Sequence, residues 1–242
     1  MPYPAIGFVL LVTFGIPLGA LVVFAAKRQG LVKPFLLGAA TLAVFQLATR
    51  LPLLALLQSQ AWFAFFSVQH PAVYSLALGL SAALFEEAGR YIVMRLFMGK
   101  TTAWRFGVAH GLGHGGIEAL LLVGLSYLVV LFSNPGVLVL AGPAQIFLAG
   151  LERLFTLVIH TGLSVMVLQS LRKKSPWPLV CAILVHTALD APLGLFTLAG
   201  LGVYAIEAFV GLFALGLLVY IAVVGTLEKK ETESAPHENN PL

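Results

Sequence analysis

The sequence predicts an all-α integral membrane protein, a polytopic bundle of about seven transmembrane helices. Of its 242 residues, 60% are hydrophobic and 10% are charged, with 14 Lys and Arg against 10 Asp and Glu. A soluble domain carries about 25% charged residues, so most of this chain requires lipid as its solvent. The composition excludes a secreted disulfide scaffold, a nucleic-acid module and a cytosolic enzyme, and the single Cys181 excludes an internal disulfide.

Apolar runs long enough to span a bilayer, about 20 residues each, recur along the chain. They cover residues 4–26, 33–58, 71–98, 104–132, 144–170, 176–197 and 201–225. No basic residue precedes the first run. It therefore lacks the start of a cleavable signal peptide and is interpreted as the first span.

The basic residues alternate between the connections of these spans. They lie beside the connections after spans one, three, five and seven, at Lys27, Arg28, Lys33, Arg95, Lys100, Arg105, Arg172, Lys173, Lys174, Lys229 and Lys230. The connections near 59–70, 133–143 and 198–200 contain no Lys or Arg. By the positive-inside rule, we expect a multi-pass protein of the cell membrane with its N-terminus outside and its C-terminus in the cytoplasm.

The ionisable residues inside the spans are concentrated in spans three to six. They are Glu86, Glu87 and Arg90 in span three; His110, His114 and Glu118 in span four; Glu152, Arg153 and His160 in span five; and His186 and Asp190 in span six. A charge at the middle of a bilayer costs about 2.5–3.5 kcal/mol on insertion scales, so such residues usually face the bundle interior and serve function.

Four of these residues lie at one predicted depth. Glu87, His114, His160 and His186 are each 12 to 14 residues from the nearest basic residue at the cytoplasmic boundary. At about 1.5 Å per helical residue, they lie roughly 18–21 Å from that boundary. The sequence therefore predicts that four helices meet at a single internal site.

Two kinds of chemistry fit this set of residues. A carboxylate beside neutral imidazoles can deprotonate a water, and a second histidine can donate a hydrogen bond to a developing oxyanion. Neutral histidines and carboxylates also bind Zn²⁺, for which His110, His114, His160 and His186 are candidate ligands. The residues alone leave open whether the site uses Zn²⁺ or no cofactor.

Four motifs, in order along the chain, carry a resemblance to a known family. They are FEEAGR (85–90), FGVAHGLGHGGIEA (106–119), LERLFTLVIH (151–160) and HTALD (186–190). Together they resemble the YhfC family of intramembrane proteases, which belongs to the superfamily of CAAX prenyl endopeptidases and bacteriocin-processing enzymes. The resemblance covers about residues 80–190.

The resemblance implies that Glu86 activates a water, with support from Glu87 and Arg90, and that His186 and Asp190 surround the oxyanion. The EExxR spacing is one residue shorter than the EExxxR of the superfamily, so either glutamate could be the base. FxxxH is met at His110, whereas the sequence around His114 looks more like the YhfC pattern. We favour His114, which also has the predicted depth. The family is described both as metal-dependent and as glutamate-type, and this alternative stays open.

We therefore predict an intramembrane peptidase that hydrolyses a peptide bond in a membrane-associated peptide or protein. Its predicted catalytic residues are Glu86, Glu87, His114, His160, His186 and Asp190, supported by Arg90, His110, Glu118, Glu152 and Arg153. Among the supporting residues, Glu118 is expected to orient His114 and Arg153 to form an ion pair with Glu152. The alternative is a proton-coupled transporter with a buried Glu/His/Arg relay.

The domain organisation follows from the same distribution of residues. We expect one membrane domain over residues 1–227, with its catalytic core at about 80–192, and a disordered cytoplasmic tail over residues 228–242, which is polar. The expected partners are the substrate and the lipid bilayer, and no nucleic acid.

Overall fold

The computed structural model describes residues 2–99 and 101–234, which form eight helices and no strand. The helices are α1 (Tyr3–Lys27), α2 (Val32–Gln58), α3 (Ala61–Gln69), α4 (Pro71–Phe97), α5 (Trp104–Ser133), α6 (Gly136–Arg172), α7 (Trp177–Leu198) and α8 (Val203–Ser234). The all-α prediction is confirmed.

Six of these helices are long and apolar enough to cross a membrane, and α3 with α4 makes a seventh candidate span bent by 113°. By itself α4 is 27 residues long but carries Glu86, Glu87, Arg90 and Arg95, which lower its hydropathy. The prediction of about seven spans is confirmed. The side of the membrane on which each terminus lies stays a prediction.

Local irregularities explain where some helices bend. π-helical stretches occur at Leu11–Gly15 in α1, Leu42–Arg50 in α2 and Ala119–Gly124 in α5. Helix α6 is broken at Gly142, which has φ +76° and precedes Pro143. The glycine adopts this backbone conformation easily, and the proline cannot continue the preceding hydrogen-bond ladder. The predicted start of span five at residue 144 corresponds to this break.

Glycines let α5 lie against α2 and α6 at backbone distance. A Cβ added to Gly113 would lie 1.9 Å from the carbonyl oxygen of Phe35, and one added to Gly111 would lie 2.3 Å from the Cα of Thr161. Any larger side chain would therefore push the helices apart. Small residues serve this purpose in membrane bundles, and here they bring the histidines of α5 close to their neighbours.

Helix α8 extends further than the sequence analysis expected. Residues 228–234, predicted as the start of a disordered tail, are helical, and Glu228 is buried. Its carboxylate accepts hydrogen bonds from the Trp104 backbone N–H at 2.8 Å and from Gln169 Nε2 at 3.0 Å, and it pairs with Arg172. These contacts hold the end of α8 against α5 and α6. Residues 235–242, and the predicted boundary residue Lys100, lie outside the described residues.

Candidate active site

The polar residues predicted in spans three to six lie on four neighbouring helices. Glu86, Glu87 and Arg90 project from α4, and the side chains of α5, α6 and α7 approach them. Adjacent imidazole centroids are 4.8 Å apart for His114 and His160 and 6.0 Å apart for His160 and His186. The structure therefore brings together the residues on four helices that residue counting placed at one depth.

The centre of the site is a group of two glutamates and two histidines from three helices, α4, α5 and α6. One ligand atom from each of Glu86, His114, Glu118 and His160 lies within 4.8 Å of the others. His114 Nε2 is 3.0 Å from Glu86 Oε2, and His160 Nε2 is 2.5 Å from Glu118 Oε2. We call these four residues the donor group.

The two adjacent glutamates of α4 have different surroundings. Glu86 contacts His114, and its Oε2 also lies 3.9 Å from His160 Nδ1. Glu87 is completely buried and pairs with Arg90 and His186. Neighbouring residues on a helix point in directions about 100° apart, which is why only Glu86 belongs to the donor group.

Arg90 contacts two members of the donor group, Glu86 and His160, and fixes their orientation. It is fully buried and contacts Glu86 at 3.4 Å and Glu87. Its Nη2 donates to His160 Nδ1 at 2.6 Å. Because a guanidinium can only donate, Nδ1 of His160 accepts, and in the neutral ring the proton lies on Nε2, which donates to Glu118.

His186 on α7 lies between two carboxylates. Its Nδ1 is 2.7 Å from Glu87 Oε1, and its Nε2 is 3.3 Å from Asp190 Oδ2. His186 and Asp190, four residues apart on α7, therefore form a pair. Both ring nitrogens are placed to donate, since ionised carboxylates only accept.

Glu118 has a more direct place than the sequence analysis expected. It was predicted to orient His114, but it contacts His160 and belongs to the donor group itself. Arg153 Nη1 donates to its other oxygen, Oε1, at 3.1 Å and also pairs with Glu152. The expected Glu152–Arg153 ion pair thus extends to Glu118 and fixes its carboxylate.

His110, one of the predicted metal ligands, lies outside the donor group. Its Nε2 is 3.3 Å from Thr41 Oγ1, and its Nδ1 is 3.3 Å from Ser164 Oγ. Thr41 donates its own hydroxyl proton to the Leu37 carbonyl, so Nε2 of His110 is the donor in that contact. His110 therefore connects α5 to α2 and α6, and its ring centroid is 6.4 Å from that of His114.

A cavity of about 170 Å³ opens beside the donor group. Its polar lining includes Glu86, Glu118, His160, His186 and Asp190. Since a water molecule occupies about 30 Å³ in the liquid, this space can hold several waters next to the carboxylates. Gln46 of α2 also lines the cavity. It was not among the residues predicted from the sequence, although a polar glutamine inside an apolar span indicates a buried polar site.

The donor group fits a divalent metal. Imidazole nitrogens and carboxylate oxygens are the ligands of many zinc sites, with metal–ligand bonds of about 2.0–2.2 Å. The second ring nitrogen of His114, Nδ1, is buried with no hydrogen-bond partner among the described residues. The candidate set is therefore Glu86, His114, Glu118 and His160, and differs from the four histidines expected from the sequence.

Comparisons with known proteins agree with the motifs in the sequence. The chain matches the model of a family described as YhfC intramembrane metalloprotease, over residues 8–136 and 136–214. It is 33% identical, over 210 residues, to the uncharacterized membrane protein YhfC of Bacillus subtilis (strain 168). That alignment covers 76% of this chain and 81% of the relative. No solved structure matches the chain.

Proposed function

Because this chain belongs to the YhfC intramembrane metalloprotease family, we propose that it is a metal-dependent endopeptidase acting on a peptide bond of a membrane-associated substrate. The observation that carries the proposal is the donor group beside a polar cavity. Hydrolysis inside a membrane requires a water, a group that takes its proton and a group that stabilises the oxyanion. The cavity has room for the water, and its lining residues can supply both groups.

Glu86 is the proposed general base. Its Oε2 lies at the cavity and 3.0 Å from His114 Nε2. When a water attacks the carbonyl carbon of the scissile bond, Glu86 takes a proton from it. The same carboxyl group then gives a proton to the nitrogen of the breaking C–N bond, so that the products are a carboxylic acid and an amine.

His114, Glu118 and His160 are the proposed metal-holding residues, since catalytic zinc sites commonly use three protein ligands and keep a position for water. A bound Zn²⁺ would lower the pKa of that water and polarise the scissile carbonyl. Arg153 holds Glu118 in place by its hydrogen bond. Such outer contacts orient ligands and adjust affinity. Metal binding at Nε2 of His160 would move the proton of the neutral ring to Nδ1, so the contact of Nδ1 with Arg90 would open while Arg90 keeps its pairs with Glu86 and Glu87.

His186 is the proposed oxyanion donor. It lines the cavity, and its contact with Asp190 at 3.3 Å is longer than its contact with Glu87 at 2.7 Å. The Nε2–H is therefore the more loosely held of its two donors. Turning it toward a substrate oxygen would stabilise the negative charge that develops during attack. The comparisons lend no support to the alternative of a proton-coupled transporter.

Metal content and cleavage can be measured on the same preparations. Protein purified in detergent is analysed for zinc by mass spectrometry, then reconstituted in liposomes with a mixture of labelled single-span model peptides. We expect about one zinc per wild-type chain and cleavage of at least one peptide. Glu86→Gln should keep the metal and lose cleavage, whereas His114→Ala and His160→Ala should lose both.

The control is His70→Ala, since this exposed histidine follows α3 and does not line the cavity. It should keep both zinc and cleavage. Cleavage at the wild-type rate by all three site variants would overturn the proposed function. Proton flux driven by a solute in the same liposomes would instead favour the transporter.

A further inference from the structure

A second pocket, separate from the donor group, lies at one end of the bundle between α4, the end of α6 and the start of α7. Its volume is about 500 Å³, within the range of small-molecule sites. Arg95 of α4 and Lys174 of the α6–α7 connection line it, together with the side chains of Tyr91 and Ser175. None of these residues belongs to the predicted catalytic set.

The two cations of this pocket have no acidic partner in the part of the chain that the structure describes. Among the described residues, neither Arg95 nor Lys174 has a carboxylate within salt-bridge distance, and Arg95 Nη1 donates only to the hydroxyl of Tyr91, at 3.0 Å. Arg172, two residues before Lys174, is different because Glu228 and Glu231 neutralise it. The pocket therefore has a local excess of positive charge that no carboxylate within residues 2–99 and 101–234 balances.

Further features of the pocket favour an anion. Helix α7 begins at Trp177, and Leu179 of its first turn lines the pocket. The positive end of the helix dipole therefore lies beside the pocket. Because the hydroxyl of Tyr91 accepts from Arg95, its own proton is available to a ligand. Leu171 and Leu179 add apolar walls.

The cations and hydroxyl groups of the pocket suit an anionic group, and its apolar walls suit a hydrocarbon chain, so the pocket is complementary to an anionic lipid. The neighbouring sequence adds Lys173 at the same boundary, and basic pockets between membrane helices bind lipid phosphates. We propose that this pocket binds the phosphate of an anionic phospholipid. A phosphate held by Arg95 and Lys174 connects α4 to the α6–α7 connection, and these helices carry Glu86, His160 and His186.

The proposal is tested by the thermal stability of the protein in detergent micelles that contain phosphatidylglycerol or phosphatidylcholine. Phosphatidylglycerol should raise the Tm of the wild-type chain, and phosphatidylcholine should not. In the double variant Arg95→Gln with Lys174→Gln, the phosphatidylglycerol concentration needed for half of the shift should rise about 30-fold, because each cation near the membrane surface contributes about fivefold to binding.

The matched control is the double variant Lys27→Gln with Arg28→Gln. These two exposed cations do not line the pocket. The controls also match in backbone conformation, because Arg28 and Lys174 both have positive φ, at +49° and +51°. The control should respond to phosphatidylglycerol as the wild type does. A second variant, Arg95→Lys with Lys174→Arg, keeps both charges and should keep most of the response.

Three results would overturn the proposal. The first is an equal loss of response in the control, which would mean general attraction to the membrane surface. The second is an unchanged response in the Arg95→Gln, Lys174→Gln variant. The third is an equal Tm shift with inorganic phosphate alone, which would assign the pocket to a free anion in place of a lipid.

Discussion

Two polar networks in this protein are built from carboxylates and cations but lie in different surroundings. The central network comprises Glu86, Glu87, Arg90, His114, Glu118, His160 and His186, and the end network comprises Trp104, Gln169, Arg172, Glu228 and Glu231. Each connects three or more helices through carboxylates and cations. Only the central network lies beside the polar cavity.

The networks differ in how completely their hydrogen bonds are satisfied. In the central network, His114 Nδ1, Glu87 Oε2 and Arg90 Nε are buried without a partner among the described residues. In the end network, both carboxylate oxygens of Glu228 accept hydrogen bonds, from Trp104 and Gln169, and the residue also pairs with Arg172. A buried polar atom without a partner is costly, so a protein keeps such atoms mainly where a ligand or a reaction uses them.

The largest expected effect is the loss of cleavage on Glu86→Gln. Removing a general base lowers the rate by about 10²–10⁴-fold, and we expect about 10³-fold. The Tm should change little, since glutamine has nearly the same shape. Cleavage of the model peptides in liposomes measures the effect. Glu228→Gln, the matched change in the end network, should leave the rate of the folded protein unaltered, and an equal loss there would remove the distinction between the networks.

A smaller effect is expected for Glu118→Gln, which weakens one side of the donor group. Substitutions around a metal site commonly cost 10–100-fold in affinity or activity, and we expect zinc affinity to fall by about 100-fold. A zinc titration with a competing chelator measures this. Glu152→Gln is the control, because Glu152 contacts Arg153 but lies outside the donor group. Equal affinities for the two variants would exclude Glu118 as a ligand.

The third prediction concerns stability at the end network. Glu228→Ala leaves the Trp104 N–H, Gln169 and Arg172 without their acceptor. An unpaired buried partner costs about 1–3 kcal/mol, so the free energy of unfolding should fall by about 2 kcal/mol. Thermal unfolding in detergent measures the change. Glu233→Ala, at an exposed residue of the same helix, should be neutral, and an equal destabilisation there would contradict the role of Glu228.

The smallest effect is expected for His110→Gln. This change disturbs the contacts with Thr41 and Ser164 and should cost about 1 kcal/mol of stability. The rate of cleavage per folded molecule should stay within about threefold of wild type, an upper limit set by a cost of less than 1 kcal/mol in the barrier. If His110→Gln lost as much cleavage activity as His114→Gln measured in parallel, His110 would have to be assigned to the active site.

Much of this architecture could be predicted from composition and spacing. Hydropathy located seven apolar runs because a helix must offer about 20 apolar residues to cross a bilayer. Counting residues from the basic boundaries placed Glu87, His114, His160 and His186 at one level. In the structure the rings of the three histidines are neighbours, and His186 contacts Glu87. Depth is available from sequence because the rise per residue of a helix is fixed.

Only the tertiary structure decided which of these residues touch. The sequence left open whether Glu86 or Glu87 is the base, and it favoured His114 over His110 only by depth and motif, because the rotation of a helix about its axis is set by packing. Packing turns Glu86 toward His114 and leaves His110 between Thr41 and Ser164. The pairing of Glu228 with Arg172 was equally hidden, since no local pattern connects residues 56 positions apart. The sequence by itself determined the spans and the depth of the polar residues, and the contacts between helices determined which of them form the site.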